Sequence, residues 1–159
     1  MLEISGNIWD YHNRDEWIII TTNGTVKKNG FAVMGQGVAK EMAILHPEFP
    51  GVLGETIRLS GNNVYTFAEC RAITFPVKDG WRKKADLKLI EKSLQQVVEL
   101  VNKTYLSDKF YMVRPGCGYG WLDWEHQVKH LCAHYLDDRF IIMNFDREIE
   151  QWRPLNDKT

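Results

Sequence analysis

Short apolar runs rich in β-branched and aromatic residues alternate with segments of helical periodicity, and this alternation constrains the fold more than any other feature of the chain. Trp17-Ile18-Ile19-Ile20-Thr21-Thr22 runs into Asn23-Gly24 and reads as a buried strand followed by a turn. Residues 37–45 read as a short helix, stopped by His46-Pro47. Two strand pieces follow, 64–67 and 71–75, and Pro76 is expected to end the second because proline brings no donor to a ladder. From residue 86 to about 105, Leu87, Ile90, Leu94, Val97 and Val101 recur at three- and four-residue steps and form one apolar stripe, with Asp86 as N-cap. Residues 110–113 form a strand entering Pro115-Gly116. A helix over 124–136 places Trp124, Val128, Leu131 and Tyr135 on one side, and 139–145 is the last strand. The order strand, helix, two strands, helix, strand, helix, strand predicts an α/β layered fold around a largely parallel sheet. Ligands of such sheets bind beyond the carboxyl ends of the strands. Three segments gather there: 23–37, 76–82 and 115–121.

The chain has 159 residues, the length of one domain. Residues 1–151 are expected to form it, and the polar tail from Trp152 is expected to fray. Twenty Lys and Arg against 21 Asp and Glu leave a net charge of −1, so bulk basic attraction to nucleic acid is not supported. No stretch approaches the length of a membrane span, and no basic segment precedes an apolar core at the N-terminus. Cys70, Cys117 and Cys132 are odd in number and widely spaced, which fits neither a zinc site nor a disulfide framework. A cytoplasmic, monomeric protein without metal or cofactor is expected.

Two glycine loops carry the chemistry. The first runs from Gly30 through Gly35-Gln36-Gly37-Val38 to Lys40 and opens a helix, where free backbone N–H groups and the helix dipole favour a phosphate. It lacks the Gly-Lys-Ser/Thr of a Walker loop and the third glycine of the dinucleotide fingerprint, and an ordinary glycine-rich turn is its bland alternative. The second loop, Gly116-Cys117-Gly118-Tyr119-Gly120-Trp121, follows a strand and allows close backbone approach. Its aromatic residues suit a ribose or base. Two such loops from distant parts of the chain suggest a clamp around one phosphate-bearing ligand.

These residues resemble the macrodomain family of ADP-ribose binders, over most of the chain from Gly6-Asn7-Ile8 to Met143. The anchors are Asn23, the loop Val33-Met34-Gly35-Gln36-Gly37-Val38-Ala39 and the segment from Arg114 to Trp124. Within the family, Ile73 to Lys84 and Gly120-Trp121-Leu122-Asp123-Trp124 resemble the terminal ADP-ribose glycohydrolase branch, which includes the antitoxin macrodomain that strips ADP-ribose from DNA bases. The resemblance implies a three-layer α/β/α sandwich with a mixed sheet. It places the adenine near Asn7 and Ile8, and the diphosphate between Gly35–Val38 and Gly116–Trp121, that is Gly35, Gln36, Gly37 and Val38 facing Gly116, Cys117, Gly118, Tyr119, Gly120 and Trp121. The distal ribose falls near Asn23, Met34 and Lys78. Two positions depart from the family. Asn7 stands where an aspartate usually accepts the adenine amino group; its carbonyl still accepts, without the charge. Gly120 stands where one human branch member carries a catalytic aspartate, as it does in the antitoxin type, and Asp123 lies three residues on.

The branch resemblance implies that Lys78 is a nucleophile on the anomeric carbon, forming a Schiff base with the sugar. Attack needs the neutral amine, so the site must depress its pKa, by burial or by repulsion from Arg82, Lys83 and Lys84. A solvated surface lysine is the alternative. Asn23 serves either the distal ribose or the Asn-Gly turn. Asp123 serves either as acid or base or as cap of the helix beginning near Trp124, and the cap is the better reading. Cys117 reads as a small packing residue. Arg82-Lys83-Lys84 with Trp81 and Trp121 suit a polynucleotide backbone or base, or simply a solvated helix entrance. The implied activity is release of ADP-ribose from a modified macromolecule, DNA base or carboxylate side chain. A phosphatase on ADP-ribose 1″-phosphate and a non-catalytic reader remain open.

Overall fold

The computed structural model describes residues 1–144; Phe145 and the tail from Trp152 lie outside the described residues. Six strands form one sheet: β1 (Leu2–Ser5), β2 (Trp17–Asn23), β3 (Tyr65–Phe67), β4 (Ala72–Lys78), β5 (Phe110–Val113) and β6 (Phe140–Asn144). Their order is β1-β6-β5-β2-β4-β3. Each neighbouring pair is parallel except β3 and β4, which run antiparallel at the edge. Five helices cover it: α1 (Ile8–His12), α2 (Gly37–Leu45), α3 (Phe49–Ser60), α4 (Leu87–Lys103) and α5 (Lys129–Tyr135).

The period-two alternation of the strands decides the layering. Ile18 and Ile20 pack with Ile8, Met42 and Leu53 of α1, α2 and α3, whereas Ile19 between them packs with Ile90, Leu94 and Cys132 of α4 and α5. Tyr111 and Met112, and Ile141 and Ile142, divide the same way. Ile18, Ile19 and Ile20 are wholly buried, each worth roughly 2 kcal/mol of removed apolar surface. The result is a three-layer α/β/α sandwich, as the family resemblance implies.

The predicted helix over 37–45 is present with those bounds, and α4 begins after Asp86, whose carboxylate accepts from the Lys88 backbone N–H at 2.9 Å. Several expectations need correction. Pro76 does not end its strand: β4 continues to Lys78. The reason lies in the neighbour. β3 pairs with β4 only as far as Thr74, and the Pro76 carbonyl takes its bond from Ser93 Oγ of α4 at 2.7 Å, so the missing donor faces no ladder. The predicted helix over 124–136 opens with a π-helical turn, Trp124–Val128, before α5. Cys132, not Leu131, then completes the buried row with Trp124, Val128 and Leu136. Three elements were not foreseen. Strand β1 is short and mostly exposed and exists by pairing with β6; α1 is five residues capped by Asn7; α3 begins Phe-Pro, with proline tolerated in the first turn.

Candidate functional site

Five parallel strands end on one side of the molecule, and a cleft of about 990 Å³ opens there. The strand order lays it out. Gly6 and Met143, beyond β1 and in β6, line one end with Asn7 and Ile8. The glycine loop after β5 and the segment after β2 form the middle, and Lys78 closes the far end of β4. From β6 to β4 is three strand spacings, roughly 14 Å.

A β-bulge sets Lys78. Thr22 pairs with Pro76 but Asn23 pairs with Lys78, so one extra residue, Val77, is accommodated on β4 and Lys78 stands opposite Asn23 at the strand end. Its backbone is clamped, the carbonyl accepting from Gly24 N–H and Asn62 Nδ2, each at 3.1 Å. Nζ reaches across the cleft and donates to the Tyr119 carbonyl at 2.9 Å. Burial depresses its pKa below that of a free lysine, and no other group contributes. The expected repulsion from Arg82, Lys83 and Lys84 is therefore absent: all three are exposed to water, and the Arg82 guanidinium lies 4.7 Å from the centre of the Trp81 ring. A neutral amine still donates one N–H to Tyr119 while its lone pair stays free.

The two glycine loops face each other. Gly37, at φ +59°, begins α2, and the Tyr119 ring lies over it so closely that a Cβ there would sit 3.4 Å from the ring. Gln36 provides no side-chain cap, so the first N–H groups of α2 are left for a ligand. Gly116 has φ +75° and Gly120 passes so close to the Gly116 carbonyl that a Cβ there would meet it at 2.4 Å. The loop is pinned from below, the Gly120 carbonyl accepting from Ala85 N–H at 3.0 Å. Gly35, Gln36, Val38, Cys117 and Gly118 also line the cleft.

Two expected ligand residues stand elsewhere. Met34 is 8% exposed and packs into the core between the sheet and α1 to α3, because the loop before it is tied inward by Asn23 Nδ2 donating to the Val33 carbonyl at 2.9 Å. Trp121 does not line the cleft and is 76% exposed. Its φ of +67° puts a bulky residue in the left-handed region.

By sequence, no protein-family model and no curated protein matches the chain. Solved structures do match in shape. The macrodomain of Mycobacterium tuberculosis DarG superposes with a TM-score of 0.70 at 20% identity, covering 89% of this chain and 97% of that one. The macrodomain of Thermus aquaticus DarG gives 0.68 at 20% identity, over 91% and 97%. The chain of Thermosipho africanus DarTG in complex with ADP-ribose gives 0.70 at 20% identity over 95% of this chain, which spans only 42% of that one. The fold is that of a macrodomain.

Within this fold the remaining candidates resolve by their hydrogen bonds. Asn7 caps α1, its Oδ1 accepting from Trp9 N–H at 3.0 Å, so one lone pair of its carbonyl is already engaged. Asn23 serves the turn: Oδ1 accepts from Thr25 N–H at 2.9 Å while the amide holds Val33. Asp123 is a cap, accepting from His126 N–H at 2.7 Å, and the His126 hydrogen bonds hold its carboxyl below the ordinary range. An ionised cap is no proton donor at neutral pH. Burial pushes the Cys117 thiol up to about 12, which suits packing and not attack. Among the cleft residues that sequence reading did not name as ligand contacts are Arg114 and Glu41. Arg114, in the Arg-Pro-Gly preceding the second loop, lies over Trp124 at 5.2 Å. Glu41 sits on α2 and receives the Trp9 indole N–H. Among the described residues no cluster of His, Cys, Asp and Glu is fit for a metal, and no helix is long and apolar enough to cross a membrane.

Proposed function

We propose that this macrodomain binds ADP-ribose and removes it from a modified macromolecule, with Lys78 as nucleophile. The observation that carries the reading is a partly buried lysine without an acidic partner, at an irregular strand end and hydrogen-bonded to a glycine-loop carbonyl at the end of a ligand-sized cleft. The neutral Nζ attacks the anomeric carbon. The bond to the macromolecule breaks, and its electron pair and a proton leave with the macromolecule. Water then hydrolyses the lysine-linked sugar and returns free amine and ADP-ribose. The α2 N-terminus and the second loop take the diphosphate, and Asn23 contributes its remaining N–H and lone pair to the distal ribose. The ADP-ribose in the Thermosipho africanus DarTG structure supports the choice of ligand.

The mouth favours a large substrate. Trp81, Tyr119 and Trp121 are 45%, 51% and 76% exposed, with Arg82 beside Trp81, a composition suited to stacking bases of a nucleic acid strand. A tryptophan in the left-handed region costs about 1 kcal/mol, a cost the packing does not explain. Trp121→Gly is expected to leave thermal stability equal or slightly raised, to leave ADP-ribose affinity unchanged, and to weaken binding of a modified oligonucleotide several-fold. Equal oligonucleotide affinity in the variant would remove Trp121 from substrate recognition.

The direct test incubates the protein with an ADP-ribosylated thymidine oligonucleotide and with an ADP-ribosylated carboxylate protein, following free ADP-ribose, with binding by calorimetry. Release from either supports the hydrolase and names the linkage. Binding without release leaves a reader or a 1″-phosphate phosphatase. No binding removes ADP-ribose from the reading of the cleft.

A further inference from the structure

Glu41 is a charged cleft group whose chemistry the reaction above does not use. It stands on α2 one turn after Val38, at the end of the cleft lined by Gly6, Ile8 and Met143. Oε2 accepts the indole N–H of Trp9, itself 3% exposed, which fixes the carboxyl in place. Oε1 takes no hydrogen bond from the described residues, and no cation contributes to its electrostatics. Partial burial raises its pKa, and no counter-ion offsets it. A lone carboxylate is unfavourable in a cleft meant for a diphosphate unless it meets a donor on the ligand. The surrounding wall of Ile8, Val38 and Met143 is apolar and suits a flat ring. Asn7, the neighbouring acceptor, is already engaged as a helix cap.

We propose that Glu41 reads the edge of the nucleobase in this cleft, Oε1 accepting a hydrogen bond from its exocyclic amino group while Trp9 holds the other oxygen. The inference rests on the nucleotide reading of the cleft given above. Trp9 is then a positioning residue and Glu41 the specificity determinant. The orientation of the group has a consequence for Glu41→Gln. In that variant the amide oxygen stays with the Trp9 indole N–H, and the NH2 faces the cleft. A donor then opposes the amino group of adenine and matches the carbonyl of hypoxanthine.

Calorimetry with ADP-ribose and with its hypoxanthine counterpart, in wild type, Glu41→Gln and Glu41→Ala, tests this. Wild type is expected to prefer ADP-ribose by about tenfold or more. Glu41→Ala is expected to lose the preference, and Glu41→Gln to reverse it. Equal loss of both ligands in the variants, with the ratio kept, would show a structural role and overturn the proposal while leaving the ADP-ribose cleft intact. Equal binding of both ligands by wild type also overturns it alone. Failure of wild type to bind either ligand overturns it together with the nucleotide reading.

Discussion

Lys78→Ala is expected to slow release of ADP-ribose from the modified substrate by a thousandfold or more, with ADP-ribose binding kept within a few-fold. The asymmetry follows from the geometry. In the proposed reading the diphosphate is held by backbone N–H groups at the start of α2 and in the loop after β5, and Lys78 touches that loop only through the Tyr119 carbonyl. The lysine contributes the lone pair alone. Its pH dependence carries the sign of that role. Burial lowers the pKa, so the reactive neutral amine forms at lower pH than for a free lysine near 10.4. Single-turnover release by wild type is expected to rise with pH and to level off with an inflection below that value. Lys78→Arg keeps a permanent cation and is expected to be as inactive as the alanine variant. Wild-type rates in either variant, or a rate that falls with rising pH, would remove Lys78 from the role of nucleophile.

Gly54→Ala is expected to cost about 3 kcal/mol, lowering the melting temperature by roughly 10 °C. Gly54 lies in α3, where alanine would ordinarily be the better residue. Here the helix presses on the chain before the first glycine loop: a Cβ at Gly54 would meet the Gly30 carbonyl at 2.0 Å and the Ala32 N–H at 2.7 Å. Both neighbours are backbone, and Ala32 N–H already donates to the Pro50 carbonyl, so neither has room to retreat. Gly51→Ala on the same helix is the control. Its Cβ would meet only the ring of Phe31, at 3.2 Å, and that ring is 45% exposed and free to turn. Thermal and denaturant unfolding of the two variants checks the contrast. Equal melting temperatures would show that the loop, not the helix, yields. Because the displaced segment leads into Gly35 to Val38, Gly54→Ala is also expected to weaken ADP-ribose binding beyond its effect on stability.

The legible parts of the sequence were those whose signal is local. The three isoleucines of β2, the i, i+3, i+4 stripe of α4 and the Asp86 cap each follow from near neighbours in the chain, and each is found where the pattern puts it. The two glycine loops were legible for the same reason, since glycines at strand ends and helix starts mark places where only a bare backbone passes. Elements without a local signal stayed hidden. Strand β1 exposes most of its residues and is held by its pairing to β6, more than 130 residues away in the chain. Helix α1 is too short to stand alone and is formed by its cap and the burial of Ile8 and Trp9. Pro76 broke a local rule because the end of β3 relieved it of any ladder.

The site divides along the same line. Residue types and spacing were enough to name the glycine clamp as a candidate, because glycine loops carry their chemistry in themselves, whereas Lys78 was singled out by the family resemblance and by itself also fitted a solvated surface lysine. Direction was a tertiary matter. The shifted register between β2 and β4 sets Lys78 opposite Asn23 at the edge of the cleft, and Met34, beside the Asn23–Val33 hydrogen bond, is buried in the core. Trp121, in the left-handed region, is left exposed outside the cleft lining, and the packing of α1 near α2 gave Glu41 its partner in Trp9. Each of these depends on contacts between segments far apart in the chain, and such contacts set the orientation and solvation that decide what a side chain can do.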